Sequence, residues 1–213
     1  MSAKPAEPLA PDEFRRALGP DLDVSRETLE RLEAYWALLL RWQPRINLVG
    51  KATLSDPWRR HMLDSAQLLS FVPSNTAHLL DMGSGAGFPG LVLAILGVER
   101  VSLVEADQRK AAFLREAARV AGCTGATVFA RRLEDLDEIA PVVTARALAP
   151  LPRLLDWAHG RLAPNGRCLF LKGRQVADEL TAAEEQWTMR ARVAKSCSDP
   201  DGRILIIDEV RRR

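Results

Sequence analysis

A glycine-rich segment lies at residues 79–90, with the sequence LLDMGSGAGFPG, where a short apolar run ends. Glycine tolerates positive φ and lets a ligand approach the backbone where a Cβ would stand in the way. A loop of this kind between a strand and a helix predicts a small-molecule site, because open α/β sheets bind ligands at such turns. The residues that carry this prediction are Asp81, Gly83, Gly85 and Gly87.

Two kinds of cofactor are candidates for binding at this loop. Residues 85–90 match the GxGxxG pattern of dinucleotide-binding proteins, a weak signal by itself. A carboxylate at the strand end, however, repels a pyrophosphate, whereas Asp81 suits the amino group of the methionine moiety of S-adenosylmethionine, directly or through water. Glu105 ends the next apolar run and is placed to accept hydrogen bonds from ribose hydroxyls, as acids do with both cofactors. Asp81 therefore favours S-adenosylmethionine over a dinucleotide, and a tight turn without a ligand is the third reading.

The elements that must position these residues alternate between strands and helices from His78 onwards. Apolar runs at 78–82, 100–105, 126–130, 142–148 and 167–172 predict strands, and segments near 90–96, 108–121, 151–161 and 176–187 predict helices. The last two runs, 191–197 and 203–210, flank a turn-like SDPDG and predict a closing antiparallel hairpin. This pattern predicts an α/β fold with a mostly parallel sheet and helices on both faces.

Residues 1–75 lack this alternation of strands and helices, and they predict a helical N-terminal cap. One compact cofactor-binding domain is predicted to follow over residues 76–213. Residues 1–10 are rich in Ala and Pro and predict a loose arm. An apolar stripe then predicts a helix from a Ser25 cap to Pro44. A second helix is predicted from Ser55 or Asp56 to about Phe71, where Pro73 stops it.

Composition sets wider limits. The chain has 213 residues, 47% of them hydrophobic, which fits one large domain with a continuous core. A net charge of +2 neither demands nor excludes a nucleic-acid partner. The three cysteines are scattered, so we expect reduced thiols in the cytoplasm, with no disulfide framework and no metal site. No stretch predicts a signal peptide or a membrane span, and we expect no membrane partner.

The order of motifs resembles that of the RsmG family, also called glucose-inhibited division protein B. The resemblance covers residues 32 to 210 and rests on Asn47-Leu48, Arg60-His61-x-x-Asp64-Ser65, DMGSGAGFPG, LVEADQRKAAFLR, Arg132-Leu133-Glu134, ARALAPL and Leu171-Lys172-Gly173. The family methylates guanine N7 in the 530 loop of bacterial 16S ribosomal RNA. One departure is Val49, because many members have Thr after the Asn-Leu pair.

The resemblance implies a class I methyltransferase (Rossmann-like) fold with S-adenosylmethionine as cofactor. It implies further that Gly83 and Phe88 contact the cofactor, that Leu133 and Glu134 lie beside its adenine, and that Arg146 lines the same crevice. Arg146 stands among small apolar residues, and a buried guanidinium is costly unless it is paired. Guanine N7 carries a lone pair and no proton, so no general base is needed and no catalytic residue is assigned.

Contacts with RNA are expected at the mouth of the crevice. The candidates are basic residues of the second helix and of the segment after the fifth strand: Arg59, Arg60, His61, Lys172 and Arg174. The alternative for each of them is a surface charge that is exposed to solvent and does not contact RNA. The expected partner is 16S ribosomal RNA or the small ribosomal subunit, and the protein is expected to be a monomer. The alternatives are a methyltransferase of small metabolites, a non-catalytic RNA-binding protein that retains the fold and, more remotely, an NAD-linked oxidoreductase.

Overall fold

A seven-stranded sheet forms the centre of the computed structural model, which describes residues 7–19, 22 and 24–213. Its spatial order is β3-β2-β1-β4-β5-β7-β6, and β7 runs antiparallel to both of its neighbours while the other pairs are parallel. The predicted mostly parallel sheet with a closing hairpin is therefore confirmed. The strands are β1 His78–Met82, β2 Arg100–Val104, β3 Ala126–Phe129, β4 Ala140–Arg146, β5 Leu162–Lys172, β6 Trp187–Lys195 and β7 Arg203–Arg212.

Helices cover both faces of this sheet, as predicted. The α-helices are α1 Pro11–Ala17, α2 Arg26–Trp42, α3 Asp64–Ala66, α4 Gly90–Ile95, α5 Gln108–Val120, α6 Leu151–His159 and α7 Val176–Glu184. One face packs against α2, α4 and α5, and the other packs against α6 and α7. Alternate side chains of each central strand enter the two cores, as Leu79 and Leu80 of β1 do. The strands are apolar on both faces for this reason.

The N-terminal helices form largely as predicted. Ser25 caps α2, since its Oγ accepts a hydrogen bond from the Thr28 amide at 3.1 Å, and the helix ends at Trp42, just before Pro44. The second helical segment, however, is not one α-helix. It begins with π-helical turns over Trp58–Leu63, continues as α3 and tightens into a 3₁₀-helix over Gln67–Phe71. π-Helical turns are often found at functional sites.

Several predicted boundaries were wrong. β4 ends at Arg146 rather than at residue 148, because Ala147 takes up a left-handed conformation with φ of 49°. β5 begins at Leu162, five residues before its predicted start. β6 begins at Trp187, where a helix was predicted to end, because this side chain is buried at the start of the strand.

The N-terminal segment shares its core with the rest of the chain. Leu32 and Tyr35 of α2 belong to the same cluster of buried side chains as Leu79 of β1 and Phe113 of α5. The domain boundary at residue 75 stays a prediction. Of the predicted arm, residues 1–6 lie outside the described residues. In the part of the chain that the structure describes, no helix has both the length and the apolar character needed to cross a membrane.

Candidate functional site

Two adjoining cavities open at the carboxyl ends of the parallel strands. The first cavity has a volume of about 640 Å³ and lies against the β1–α4 loop, the end of β2 and the segment before β4. The second cavity, of about 630 Å³, lies against the 58–71 segment, the end of β5 and the β6–β7 loop. Arg146 and Ala147 line both of them. The site therefore has room for two ligand groups side by side, with Arg146 between them.

Glycines of the β1–α4 loop serve two different purposes. Gly85 lines the first cavity with φ of +56°, and a Cβ there would meet only the Gly83 carbonyl oxygen, at 3.8 Å. Gly87 has φ of +99° and faces away from the cavity, where a Cβ would come within 2.9 Å of the Tyr35 hydroxyl. Gly85 thus keeps the cavity open, while Gly87 lets α2 approach the loop.

Asp81 lies beneath this loop, fully buried. Its carboxylate accepts hydrogen bonds from the Thr144 hydroxyl at 2.8 Å and from the Gly90 amide at 3.2 Å, at the start of α4. It lines neither cavity, so the structure does not bring it to the place where a cofactor amino group was expected to meet it. Burial raises the pKa of Asp81 to about 6, although its hydrogen bonds oppose the shift. Asp81 holds the loop against β4 and α4.

Glu105 follows β2 and lines the first cavity, as expected. Its carboxylate accepts one hydrogen bond from the Gly85 amide and one from the Asp107 amide, both at 2.8 Å. A carboxylate has about four acceptor positions, so two remain for a pair of hydroxyl groups. The two amides fix the carboxylate at the rim, which prepares it for a bidentate contact.

Leu133 and Glu134 also line the first cavity. The Leu133 side chain is buried, and Glu134 accepts hydrogen bonds from the Trp157 indole at 2.9 Å and from Arg153 at 3.1 Å. Leucine, indole and guanidinium together form a wall that suits a flat aromatic ring. Gly83 and Phe88 also line this cavity, so seven of the nine predicted cofactor residues meet there, all except Asp81 and Gly87.

The wall between the cavities consists of three side chains in mutual contact. The Arg146 guanidinium lies 4.7 Å from the Phe88 ring centroid, and the His61 ring stacks on Phe88 at 4.7 Å with an angle of 17°. Arg146 also donates to Asp64 at 3.3 Å and to the Arg60 carbonyl at 3.2 Å. The partners that a buried arginine requires are therefore supplied by the 58–71 segment and the glycine loop.

His61 is neutral in this wall. Its Nδ1 faces an Arg146 nitrogen at 3.2 Å, and since a guanidinium only donates, Nδ1 must accept. Nε2 then carries the hydrogen and donates to the Thr53 hydroxyl at 2.8 Å. Burial, together with Arg146 and Arg60, lowers the pKa of His61 to about 3. His61 lines the second cavity, but it cannot act there as a cation for phosphate.

The other predicted RNA residues divide into two groups. Arg60, Lys172 and Arg174 line the second cavity, as expected. Arg59 lines neither cavity, because its guanidinium pairs with Asp56 at 2.9 Å and donates to the Glu7 carbonyl at 3.0 Å. The structure thus places Arg59 against the N-terminal segment and not at the crevice mouth.

Sequence reasoning missed two residues on which the site depends. Tyr35 of α2 is buried, and its hydroxyl donates to the Ala86 carbonyl in the glycine loop. Its only sequence signal is that it is a large polar aromatic residue beside the apolar stripe of α2. Asp64 holds Arg146, and its place in the Arg60-His61-x-x-Asp64 motif could have indicated this role. Across the described residues, no group of three or more His, Cys, Asp or Glu side chains is arranged to hold a metal ion.

The amino-acid sequence matches the family model described as "rRNA small subunit methyltransferase G" over residues 28–203. A protein of Rhodospirillum rubrum called ribosomal RNA small subunit methyltransferase G is 59% identical over 197 residues, which are 92% of this chain and 98% of that one. Its namesake from Gluconobacter oxydans is 46% identical over 190 residues, which cover 89% of this chain and 97% of the other.

Solved structures with the same fold are methyltransferases. The structure of M. jannaschii TYW2 in complex with AdoMet has a TM-score of 0.56 at 14% identity, over 80% of each chain. A SAM dependent methyltransferase from Aquifex aeolicus has a TM-score of 0.57 at 16% identity, over 74% of this chain and 95% of that one. At this level of identity the likeness shows the fold alone. The predicted class I methyltransferase fold is confirmed.

Replacement of Asp81 by Asn should change how stability depends on pH. The folded-state pKa of about 6 lies above the usual value of 3.8, so the folded protein retains a proton that the unfolded chain releases. The stability from this group is fully present below pH 3.8 and is lost as pH rises through 6. Asn keeps both hydrogen bonds if its amide nitrogen faces the Thr144 hydroxyl.

The free energy of unfolding of Asp81→Asn should therefore rise relative to the wild type by about 2 kcal/mol between pH 4 and pH 7.5. Urea unfolding across this range measures the difference. Asp137→Asn removes an exposed carboxylate and serves as control, with no such trend expected. Parallel curves for Asp81→Asn and wild type would contradict a buried carboxylate of raised pKa.

Proposed function

Because the chain belongs to the rRNA small subunit methyltransferase G family, we propose that it methylates N7 of a guanine in the 530 loop of 16S ribosomal RNA. The enzyme is an S-adenosylmethionine-dependent methyltransferase of small-subunit ribosomal RNA. The choice of N7 and of the 530 loop rests on the sequence resemblance. The observation that carries the proposal is the pair of adjoining cavities joined at Arg146.

The first cavity fits S-adenosylmethionine. A volume of about 640 Å³ lies in the usual range for small-molecule sites. Glu105 has two free acceptor positions for ribose hydroxyls, and Leu133 with Trp157 offers an apolar wall for adenine. Gly85 leaves the backbone open to the ligand. S-adenosylmethionine, when bound, supplies a methyl group activated by its sulfonium centre.

The second cavity is proposed to hold the target nucleotide. Guanine N7 attacks through its own lone pair, so the chain needs to place the base in line with the methyl group rather than remove a proton. Correct placement by itself lowers the barrier substantially. Arg146 lines both cavities and therefore orients groups on both sides of the reacting atoms. The methylated guanine is cationic, and each cation that lines the second cavity is paired with a carboxylate, so the lining does not repel this product through a net positive charge.

We propose further that the protein works as a monomer in the cytoplasm. All three cysteines are free thiols, which fits a reducing compartment. The substrate is either naked 16S ribosomal RNA or the assembled small subunit. The proposed residue roles are cofactor binding for Gly83, Gly85, Phe88, Glu105, Leu133, Glu134 and Arg146.

Methyl transfer to ribosomal RNA tests the proposed function directly. Purified protein, S-adenosylmethionine and either 16S ribosomal RNA or small subunits should yield one methyl group at a guanine N7 in the 530 loop. Nuclease digestion with mass spectrometry locates the nucleotide, and borohydride–aniline cleavage identifies N7 methylation. Methylation of another atom or loop would contradict the fine assignment. Transfer only to small metabolites, or no transfer at all, would favour one of the alternatives.

Replacement of Gly85 by Val should abolish cofactor binding. The side chain would enter the first cavity, where a Cβ now has open space. Wild-type protein at 100 times the dissociation constant of S-adenosylmethionine gains about 2.7 kcal/mol of stability, which appears as a thermal shift. Gly122→Val is the matched control, because Gly122 also has positive φ (+65°) but lies away from both cavities. A wild-type thermal shift for Gly85→Val would show that the cofactor binds elsewhere. A thermal shift with NAD but none with S-adenosylmethionine would show that the protein binds a dinucleotide instead.

Replacement of Glu105 by Ala should weaken binding of S-adenosylmethionine and S-adenosylhomocysteine by about 1–3 kcal/mol, because two ribose hydrogen bonds are lost. The fold should survive, since Glu105 stands at a partly exposed strand end. Isothermal titration calorimetry measures the change, with Glu116→Ala on α5 as the control. Equal affinities for Glu105→Ala and wild type would exclude a ribose contact.

A further inference from the structure

Four cations line the second cavity, and each is paired with a carboxylate that also lines it. The pairs are Arg60–Asp199, Arg146–Asp64, Lys172–Glu179 and Arg174–Asp201. Because His61 is neutral, the charged side chains of this lining sum to zero. A lining without net charge gives little attraction to a polyanion, although phosphate contacts dominate the affinity of proteins for nucleic acids. A phosphate group can take a direct contact with one of these cations only if the pair opens.

Two of the pairs are built into the fold. Asp64 also accepts hydrogen bonds from the Ser198 hydroxyl at 2.6 Å and from the Gln67 amide at 3.1 Å. The Lys172 side chain is 9% exposed, and besides pairing with Glu179 its ammonium donates to the Ala149 carbonyl at 3.0 Å. Displacing either carboxylate would leave a buried cation without its partner, which is costly. Arg146 and Lys172 are therefore held where they are.

The other two pairs are exposed and depend on one loop. Residues 196–202 join β6 to β7, and Asp199 and Asp201 reach from this loop to Arg60 and Arg174. The side chains of Arg60 and Arg174 are 43% and 78% exposed. An exposed ion pair of this kind changes an equilibrium constant by about five-fold or less. Another anion can therefore replace the carboxylate at small cost in free energy.

We infer that Arg60 and Arg174 bind phosphate groups of the RNA strand, and that Asp199 and Asp201 occupy those positions until RNA displaces them. This inference rests on the proposed function, since it requires the target nucleotide in the second cavity. The loop carboxylates lower affinity for any phosphate chain that does not also fill that cavity. They therefore act against non-specific RNA.

A double-mutant cycle on Arg60 and Asp199 tests the inference. Asp199→Asn keeps the oxygen that accepts from the Asp201 amide at 2.9 Å but removes the charge. It should tighten binding of in vitro transcribed 16S ribosomal RNA by about two- to five-fold, the value of an exposed ion pair. Arg60→Ala should weaken binding and reduce the magnitude of the salt-dependence slope by about 0.7. In the Arg60→Ala background, Asp199→Asn should tighten RNA binding no more than the control variant Glu116→Gln does. That control removes a carboxylate that lines neither cavity.

Three results would overturn the inference. They are an equal effect of Asp199→Asn with and without Arg60, wild-type affinity and slope for Arg60→Ala, and a tightening by Glu116→Gln as large as that by Asp199→Asn in the otherwise wild-type protein. The parallel pair of Arg174→Ala and Asp201→Asn must behave in the same way. Methyl transfer by the wild-type protein is measured on the same RNA. If the wild type methylates this RNA but the cycle shows no coupling, only the inference fails. Absence of methylation by the wild type would instead count against the proposed function.

Discussion

Partial burial of the Arg146 guanidinium at the end of β4 is the constraint on which the arrangement of the site depends. A cation in that position needs acceptors on one side and a polarisable surface on the other, and the sheet supplies neither. The 58–71 segment brings Asp64, His61 and the Arg60 carbonyl, and the glycine loop brings the Phe88 ring. One side chain thus links the end of β4 to the 58–71 segment and to the glycine loop, at the wall between the two cavities.

The glycine loop is held from both sides by residues distant in sequence. Asp81 fixes it from below through Thr144 and the Gly90 amide, and Tyr35 fixes it from the N-terminal side through the Ala86 carbonyl. Gly87 makes the second contact possible, because any side chain there would collide with the Tyr35 hydroxyl. The loop that lines the first cavity is therefore held in place by side chains outside it, although its own residues are small.

The sequence predicts those features that depend on local pattern. Apolar runs with period two or without polar breaks predict the strands, and the DMGSGAGFPG loop predicts the place of the first cavity. Each of these signals is contained in a segment of a dozen residues or fewer. The roles of Asp81, His61 and Arg59 could not be predicted in this way. The hydroxyl that binds Asp81 is 63 residues away, the arginine that fixes the tautomer of His61 is 85 residues away, and the carbonyl that binds Arg59 is 52 residues away. Only the three-dimensional fold shows that such partners exist.

The positions of the lining residues along the chain also mean that the two cavities are completed at different times during synthesis. Every residue that lines the first cavity lies between Leu48 and Trp157, so all of them have been synthesised before the last quarter of the protein is made. The second cavity needs residues up to Gly202, and the loop that carries Asp199 and Asp201 is anchored only when β7 pairs with β5 and β6. During synthesis on the ribosome, the cavity proposed to face RNA is thus completed last. A nascent chain that already contains every residue of the first cavity still lacks the surface proposed to engage ribosomal RNA.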